Sequence, residues 1–253
     1  LDKITNEIFK LDFNSKNLNV GAITYKDDTL LQRILNKQNK FKKNIWRINA
    51  KNDLNIKNFS SATETVIPKL NKKISNKIIS QYGKSDIIIA RHCLEHAPNL
   101  NKFLDFLWHS LNDNGYIIFE VPDCTNQLKS FDYSMLWEEH ILYLQPATLK
   151  RIFNYYKFNI IKHFNFKYYN EGAQVLIVSK NTNTKKPKNI TFNNTINFRY
   201  VDNFEKYKKI YHLFFKTNYL NNKKIVFYGA GHLSVIFISL FKISKFIDCI
   251  IDD

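Results

Sequence analysis

Asp86-Ile87-Ile88-Ile89-Ala90, running directly into Arg91-His92-Cys93-Leu94-Glu95-His96-Ala97-Pro98, is the stretch on which the fold turns. Ile87 to Ala90 is apolar without alternation, so a strand here is covered on both faces, as central strands of parallel sheets are. Parallel neighbours need crossover connections, usually helices, and the flanking sequence supplies them. Upstream, Leu70, Ile74, Ile78 and Ile79 fall at helical spacing within Ile67 to Gln81, and Gly83 suits the position just past that helix. Downstream, Phe103, Leu104, Leu107, Trp108 and Leu111 mark a helix that stops at Asn112-Asp113-Asn114-Gly115. Tyr116 to Val121 is the next strand, closed by Pro122-Asp123.

The pattern continues outward. Asn19 to Thr24 reads as a first strand, Tyr25-Lys26-Asp27-Asp28 as a polar turn, and Thr29 onward as a helix with Leu30, Leu31, Ile34 and Leu35 on one face. Asn44 to Ile48 is a second strand. A helix from Pro146 to Tyr156 precedes Phe158 to Phe166 and Gln174 to Ser179, two runs near enough to form an antiparallel edge pair. Asn181 to Lys188 is polar and aperiodic, a linker. A second unit follows: a helix from about Asp202 to Thr217, a strand Lys224 to Tyr228, the turn Gly229-Ala230-Gly231, a helix Leu233 to Phe241 and a strand Phe246 to Ile251. The expected class is α/β. Residues 1–180 form a mainly parallel sheet with an antiparallel edge hairpin, and residues 181–253 hold the start of a second, smaller α/β domain. The start at Leu1 and the break at Asp253 predict a piece of a longer chain.

Composition narrows the class. With 44% hydrophobic and 15% aromatic residues over 253 positions, a packed core is expected and disorder is not. No apolar run approaches the roughly 20 residues that span a bilayer, and Leu1 to Glu7 lead to the expectation of no signal peptide. A cytoplasmic protein with no membrane partner is expected. Cys93, Cys124 and Cys249 are odd in number and widely spaced, so neither a disulfide framework nor a metal site is expected. The formal charge of +16 raises the question of nucleic acid. Only Arg33, Arg47, Arg91, Arg151 and Arg199 are arginine, and the rest of that positive charge is lysine spread along the chain. Arginine is the better reader of phosphates and bases, so a solvated surface is the expected role of the charge. The Tyr155-Tyr156 and Tyr168-Tyr169 pairs read as core and sheet-edge residues rather than stacking platforms.

In open α/β sheets ligands bind beyond the carboxyl ends of the strands. The residues after Ile23, Ile48, Ala90 and Val121 are therefore the informative ones. The run from Tyr82 through His96, the helix after it, and Leu111 through Asp123 resemble the second half of a class I S-adenosylmethionine-dependent methyltransferase. Trp137-Glu138-Glu139-His140-Ile141-Leu142-Tyr143-Leu144-Gln145-Pro146-Ala147-Thr148-Leu149 is similar to a segment of the sugar C-methyltransferase family, which acts on nucleotide-linked keto-sugars. Val226-Phe227-Tyr228-Gly229-Ala230-Gly231 and Asp252-Asp253 match the opening of that family's carboxy-terminal domain. The family's zinc module would precede Leu1.

The resemblance implies S-adenosylmethionine as cofactor and a small-molecule acceptor, a nucleotide-sugar or a related compound, as partner. It places Thr24, Asp27, Asn49, Arg91 and His92 beside the donor, and His96, Glu139 and His140 as the catalytic group facing the acceptor. Methylation of a carbon beside a ketone needs a base for a carbon-bound proton, and a neutral imidazole with a carboxylate neighbour suits that task. His140 with Glu139 is the implied pair. The family's tyrosine three residues before that histidine is Trp137 here. The glycine turn after the first strand also departs from the family: Ala22 stands for its acid, Thr24 for its first glycine and Asp28 for its last, while Asp27 persists. At the second strand's end Asn49 stands for an acid. These departures keep a second reading open, a non-catalytic methyltransferase-fold module that binds an acceptor or a partner chain.

Overall fold

The computed structural model describes residues 1–13, 18–37, 44–57, 63–167, 172–181 and 195–253. In chain order its elements are α1 Asp2–Phe9, β1 Asn19–Ala22, α2 Asp28–Lys37, β2 Asn44–Arg47, α3 Ala50–Leu54, α4 Thr63–Val66, α5 Lys72–Tyr82, β3 Ser85–Arg91, α6 Leu100–Ser110, β4 Leu111–Asp123, α7 Thr125–Ser130, α8 Pro146–Tyr155, β5 Phe158–Lys167, β6 Gly172–Lys180, α9 Thr195–Leu220, β7 Val226–Tyr228, α10 His232–Phe241 and β8 Cys249–Ile251. They fall into two compact units, Leu1–Asp123 with Ile141–Thr191, and Cys124–His140 with Phe192–Asp253.

The first unit is the expected mixed sheet, in the order β2-β1-β3-β4-β6-β5. β2, β1, β3 and β4 run parallel, and β6 and β5 add the antiparallel edge pair. β3 is the central strand, and its residues alternate between two cores: Ile88 and Ala90 pack with Phe103, Phe106, Leu107, Phe119 and Phe153, while Ile87 and Ile89 pack with Ile4, Ile8, Leu30 and Ile34. All four of these β3 residues are fully buried, at about 1.5–3 kcal/mol for each isoleucine relative to an exposed one.

Local chemistry accounts for the places where pattern and structure differ. The helix expected over 67–81 is broken, because Asn71 caps α5 by accepting from the N–H groups of Lys73 and Ile74. It ends as expected, with Gly83 at φ +79°. The turn expected at 112–115 is looped out inside β4, which pairs Leu111 with Ser85 and then Tyr116 with Ile87. Asp86 steadies this bulge by accepting from Asn112 Nδ2 at 2.7 Å and from the Asn19 N–H at 2.8 Å. From the far side, Lys180 Nζ donates to the Leu111 carbonyl at 2.7 Å.

In the second unit β7 and β8 form a parallel pair joined through α10. β8 covers only Cys249–Ile251, because Ser244–Phe246 makes a 3₁₀ turn where the strand was expected to begin. The segment Cys124–His140 groups with this unit, whereas the sequence boundary at 180/181 assigned it to the first domain. Tyr133 is one of its anchors there. Its ring meets those of Tyr200, Phe204 and Phe241, and its hydroxyl donates to the Tyr200 carbonyl at 2.6 Å. Residues 182–188 of the expected linker, and Tyr168 and Tyr169, lie outside the described residues. Among the described residues no helix is long and apolar enough to cross a membrane.

Candidate functional site

At the carboxyl end of β1 the chain turns sharply through a 3₁₀ turn, Tyr25–Asp27, into α2. Asp27 closes this turn. One carboxylate oxygen accepts from the N–H groups of Ile23 and Thr24, both at 2.9 Å, and the other accepts from the N–H of Arg91 at 2.9 Å. A single fully buried side chain thus ties the β1 turn to the end of β3. Burial pushes its carboxyl up to about 7, against the pull of those three donors. The neighbouring Cys93 thiol is pushed up as well, by burial first and then by the negative charges of Asp27 and Glu95.

Thr24 and Asp28 stand where the sequence resemblance expects glycine, and neither needs glycine's freedom. Thr24 is extended at φ −130° and Asp28 helical at φ −55°, so no residue of the turn uses the left-handed region. The Thr24 side chain is buried, and that of Asp28 reaches Arg47 of β2 at 3.0 Å.

Arg91 lies over the turn. Its Nε donates to Glu120 Oε2 at 2.5 Å and its Nη1 to the Lys26 carbonyl at 2.5 Å, so the guanidinium joins the ends of β3 and β4 to the β1 turn. His92 follows at φ +49°, a left-handed backbone uncommon outside glycine. Its N–H donates to the Glu120 carbonyl at 2.7 Å, and its Nδ1 lies 3.5 Å from Glu95 Oε1. The Glu95 carboxylate is buried, and neither of its oxygens makes a hydrogen bond among the described residues.

Asn49 ends the β2 segment as the cap of α3. Its side-chain oxygen accepts from the Asn52 N–H at 2.9 Å, and its own N–H donates to Asp53 at 2.7 Å. Asp53, four residues on, thus sets a carboxylate beside Asn49, the position at which the sequence lacks an acid. The only sequence signal for it is an acidic residue in the first turns of a helix that follows a strand. His96 is buried in the 3₁₀ turn Leu94–His96, with Nδ1 3.2 Å from Glu64 Oε1. Glu64 is the second residue that the sequence reading missed.

Thr24, Asp27, Arg91 and His92 are thus brought into one cluster, with Asn49 capping the helix after the adjacent strand β2 and His96 one turn beyond β3. Glu139 and His140 belong to the other unit. There the His140 ring stacks on Trp137 with centroids 5.5 Å apart, and Trp137 also stacks on His232 at 4.1 Å. His232 Nε2 lies 3.0 Å from the Leu136 carbonyl oxygen. The turn Gly229-Ala230-Gly231 therefore leads into a histidine engaged with the 136–140 segment.

A family profile described as a methyltransferase domain matches residues 20–163. Among curated proteins, the C-methyltransferase NovU of Streptomyces niveus is 21% identical over 98 residues, which cover 39% of this chain and 23% of that protein. The chain thus spans about a quarter of that relative's length. Among solved structures, a SAM-dependent methyltransferase from Anabaena variabilis is 13% identical, with a TM-score of 0.44 over 71% of this chain and 83% of that one. Magnesium protoporphyrin IX methyltransferase from Synechocystis, solved with bound SAH, is 13% identical, with a TM-score of 0.45 over 71% of this chain and 80% of that one.

Proposed function

Because the chain belongs to the methyltransferase-domain family, we propose that it transfers a methyl group from S-adenosylmethionine to a carbon atom of a small acceptor, a nucleotide-linked keto-sugar or a related compound. The observation that carries this reading is the β1 turn held by Asp27 on Ile23, Thr24 and Arg91, which lies wholly inside the matched span. Carbon as the methylated atom is supported by the similarity to a C-methyltransferase and by the Glu139-His140 pair.

The residues present suit the donor. The turn keeps its shape without a left-handed residue, and both replaced glycine positions direct their side chains elsewhere, Thr24 inward and Asp28 to Arg47. Thr24, Asp27, Arg91, His92, Asn49 and Asp53 would hold it. When bound, S-adenosylmethionine supplies an electrophilic methyl group on a sulfonium sulfur. The work of the chain is alignment and proton handling. Asp27 fixes the turn, Arg91 and His92 set the end of β3, and His96 presents an imidazole from a rigid 3₁₀ turn. His140, with Glu139 beside it in sequence, takes the proton from the acceptor carbon as the new carbon–carbon bond forms.

One observation favours the alternative of a binding module without catalysis: Arg91 already commits its Nε and Nη1 to Glu120 and Lys26 across the turn. Calorimetry with S-adenosylhomocysteine separates the two. A dissociation constant in the roughly micromolar range, about −8 kcal/mol, supports the transferase, and no heat at about millimolar ligand ends it. In a protein that binds both ligands, His140→Asn should lower turnover by about 10²–10⁴-fold. Unchanged turnover would remove the assigned base.

A further inference from the structure

His96 and Glu64 come from separate elements, and both are held by backbone that the core fixes. α4 is anchored by the buried Thr63 and Val66, and the chain continues into the buried Ile67. The 3₁₀ turn of His96 is closed by its own N–H on the Cys93 carbonyl at 3.2 Å and by the Ala97 N–H on the Leu94 carbonyl at 3.2 Å. The Glu95 carbonyl in the same turn accepts from the N–H groups of Ile141 and Leu142, at 2.8 and 3.2 Å. Little freedom is therefore left to lose when Glu64 Oε1 meets His96 Nδ1 at 3.2 Å.

A carboxylate offers only acceptor sites, so the imidazole nitrogen facing it carries the proton. The other nitrogen of a neutral ring then bears the lone pair, and which nitrogen this is decides whether an imidazole accepts or donates toward its second side. We propose that Glu64 is the positioning residue of His96: it holds the ring in the Nδ1–H tautomer and so makes Nε2 the proton-accepting nitrogen. The inference rests on the transferase reading, in which His96 faces the acceptor. It adds that His96 receives a hydroxyl or other donor of that acceptor and does not donate to it.

The test is nitrogen NMR of the full chain labelled with ¹⁵N-histidine, at alkaline pH where the ring is neutral, with His96 assigned by comparison with His96→Asn. The unaltered protein should show a protonated Nδ1 and a bare Nε2. Glu64→Gln keeps an acceptor oxygen and should keep that pattern. Glu64→Ala should lose it, with the signals moving toward the Nε2–H form, while thermal unfolding shows the protein still folded. An Nε2–H ring in the unaltered protein, or a pattern that Glu64→Ala leaves in place, overturns the proposal. S-adenosylhomocysteine titrated into the same samples keeps the two failures apart. No binding to the unaltered protein defeats the transferase reading and the role built on it, whereas the wrong tautomer in a protein that binds the ligand defeats Glu64 alone.

Discussion

Arg91 and Glu120, at the ends of neighbouring parallel strands, form a charge pair at 2.5 Å with both side chains almost wholly buried. Removing one partner leaves an uncompensated buried charge, which costs about 3–5 kcal/mol, whereas replacing both by apolar residues of similar volume is often neutral. Glu120→Ala and Arg91→Ala should therefore each lower the free energy of unfolding by that amount in urea titration, and Arg91→Met with Glu120→Leu by much less. Equal losses in the single and double variants would show that packing, and not charge, dominates here.

Asp27 predicts how stability changes with pH. Its carboxyl is raised from 3.8 to about 7 in the folded chain, so between those values the folded state holds a proton that the unfolded state has released. Stability from this group is thus full at low pH and falls as pH rises through that window, at up to about 1.4 kcal/mol per pH unit. Above about 7 the fall is complete. Asp27→Asn cannot titrate. Denaturation midpoints between pH 5 and 7.5 should slope downward in the unaltered protein and lie flatter in the variant, and an unchanged slope would place the titration elsewhere.

Much of this architecture was legible because its signals are local. An apolar run without alternation, Ile87 to Ala90, identified the central strand; helical spacing around it identified the crossovers; and Gly83 marked a helix end. The cluster at the ends of β1 and β3 was legible for the same reason, since Thr24, Asp27, Arg91 and His92 all lie at or just beyond strand ends. What stayed hidden depends on partners far along the chain. Glu64 and Asp53 are ordinary surface-type residues until the fold sets them against His96 and the Asn49 N–H. The grouping of residues 124–140 with the second unit rests on contacts such as Tyr133 with Tyr200, Phe204 and Phe241 and Phe131 with Tyr207, which no periodicity announces. Helix α1 was missed because its buried face is little more than Ile4 and Ile8, too few positions to establish a period.

Gly21 predicts a steric limit in β1. A Cβ there would lie 2.2 Å from the Trp46 ring, and that ring is buried and held by its Nε1 donating to Ser85 Oγ at 2.9 Å. Overpacking of this kind typically costs about 1–3 kcal/mol, and a ring held by a hydrogen bond has little room to yield. Gly21→Ala should lower the thermal midpoint by several degrees. Gly231→Ala, where a Cβ would meet nothing within 4 Å, should lower it far less. A neutral Gly21→Ala would mean that Trp46 can move aside.

Tyr133 sets the last prediction, because its ring and its hydroxyl do different work. The ring packs among Tyr200, Phe204 and Phe241, and the hydroxyl donates to the Tyr200 carbonyl at 2.6 Å inside the second unit. Tyr133→Phe keeps the packing and removes one hydrogen bond to a carbonyl that stays in the α9 ladder, a cost of about 0.5–1.5 kcal/mol. Tyr133→Ala also removes the ring, a loss of about 3–5 kcal/mol by analogy with other aromatic truncations in cores. If the ring is what holds residues 124–140 to this unit, amide exchange over that segment and α9 should accelerate strongly in Tyr133→Ala and only slightly in Tyr133→Phe. Equal acceleration in both variants would assign the anchoring to the hydroxyl, and none in either would mean that the segment is held by contacts other than Tyr133.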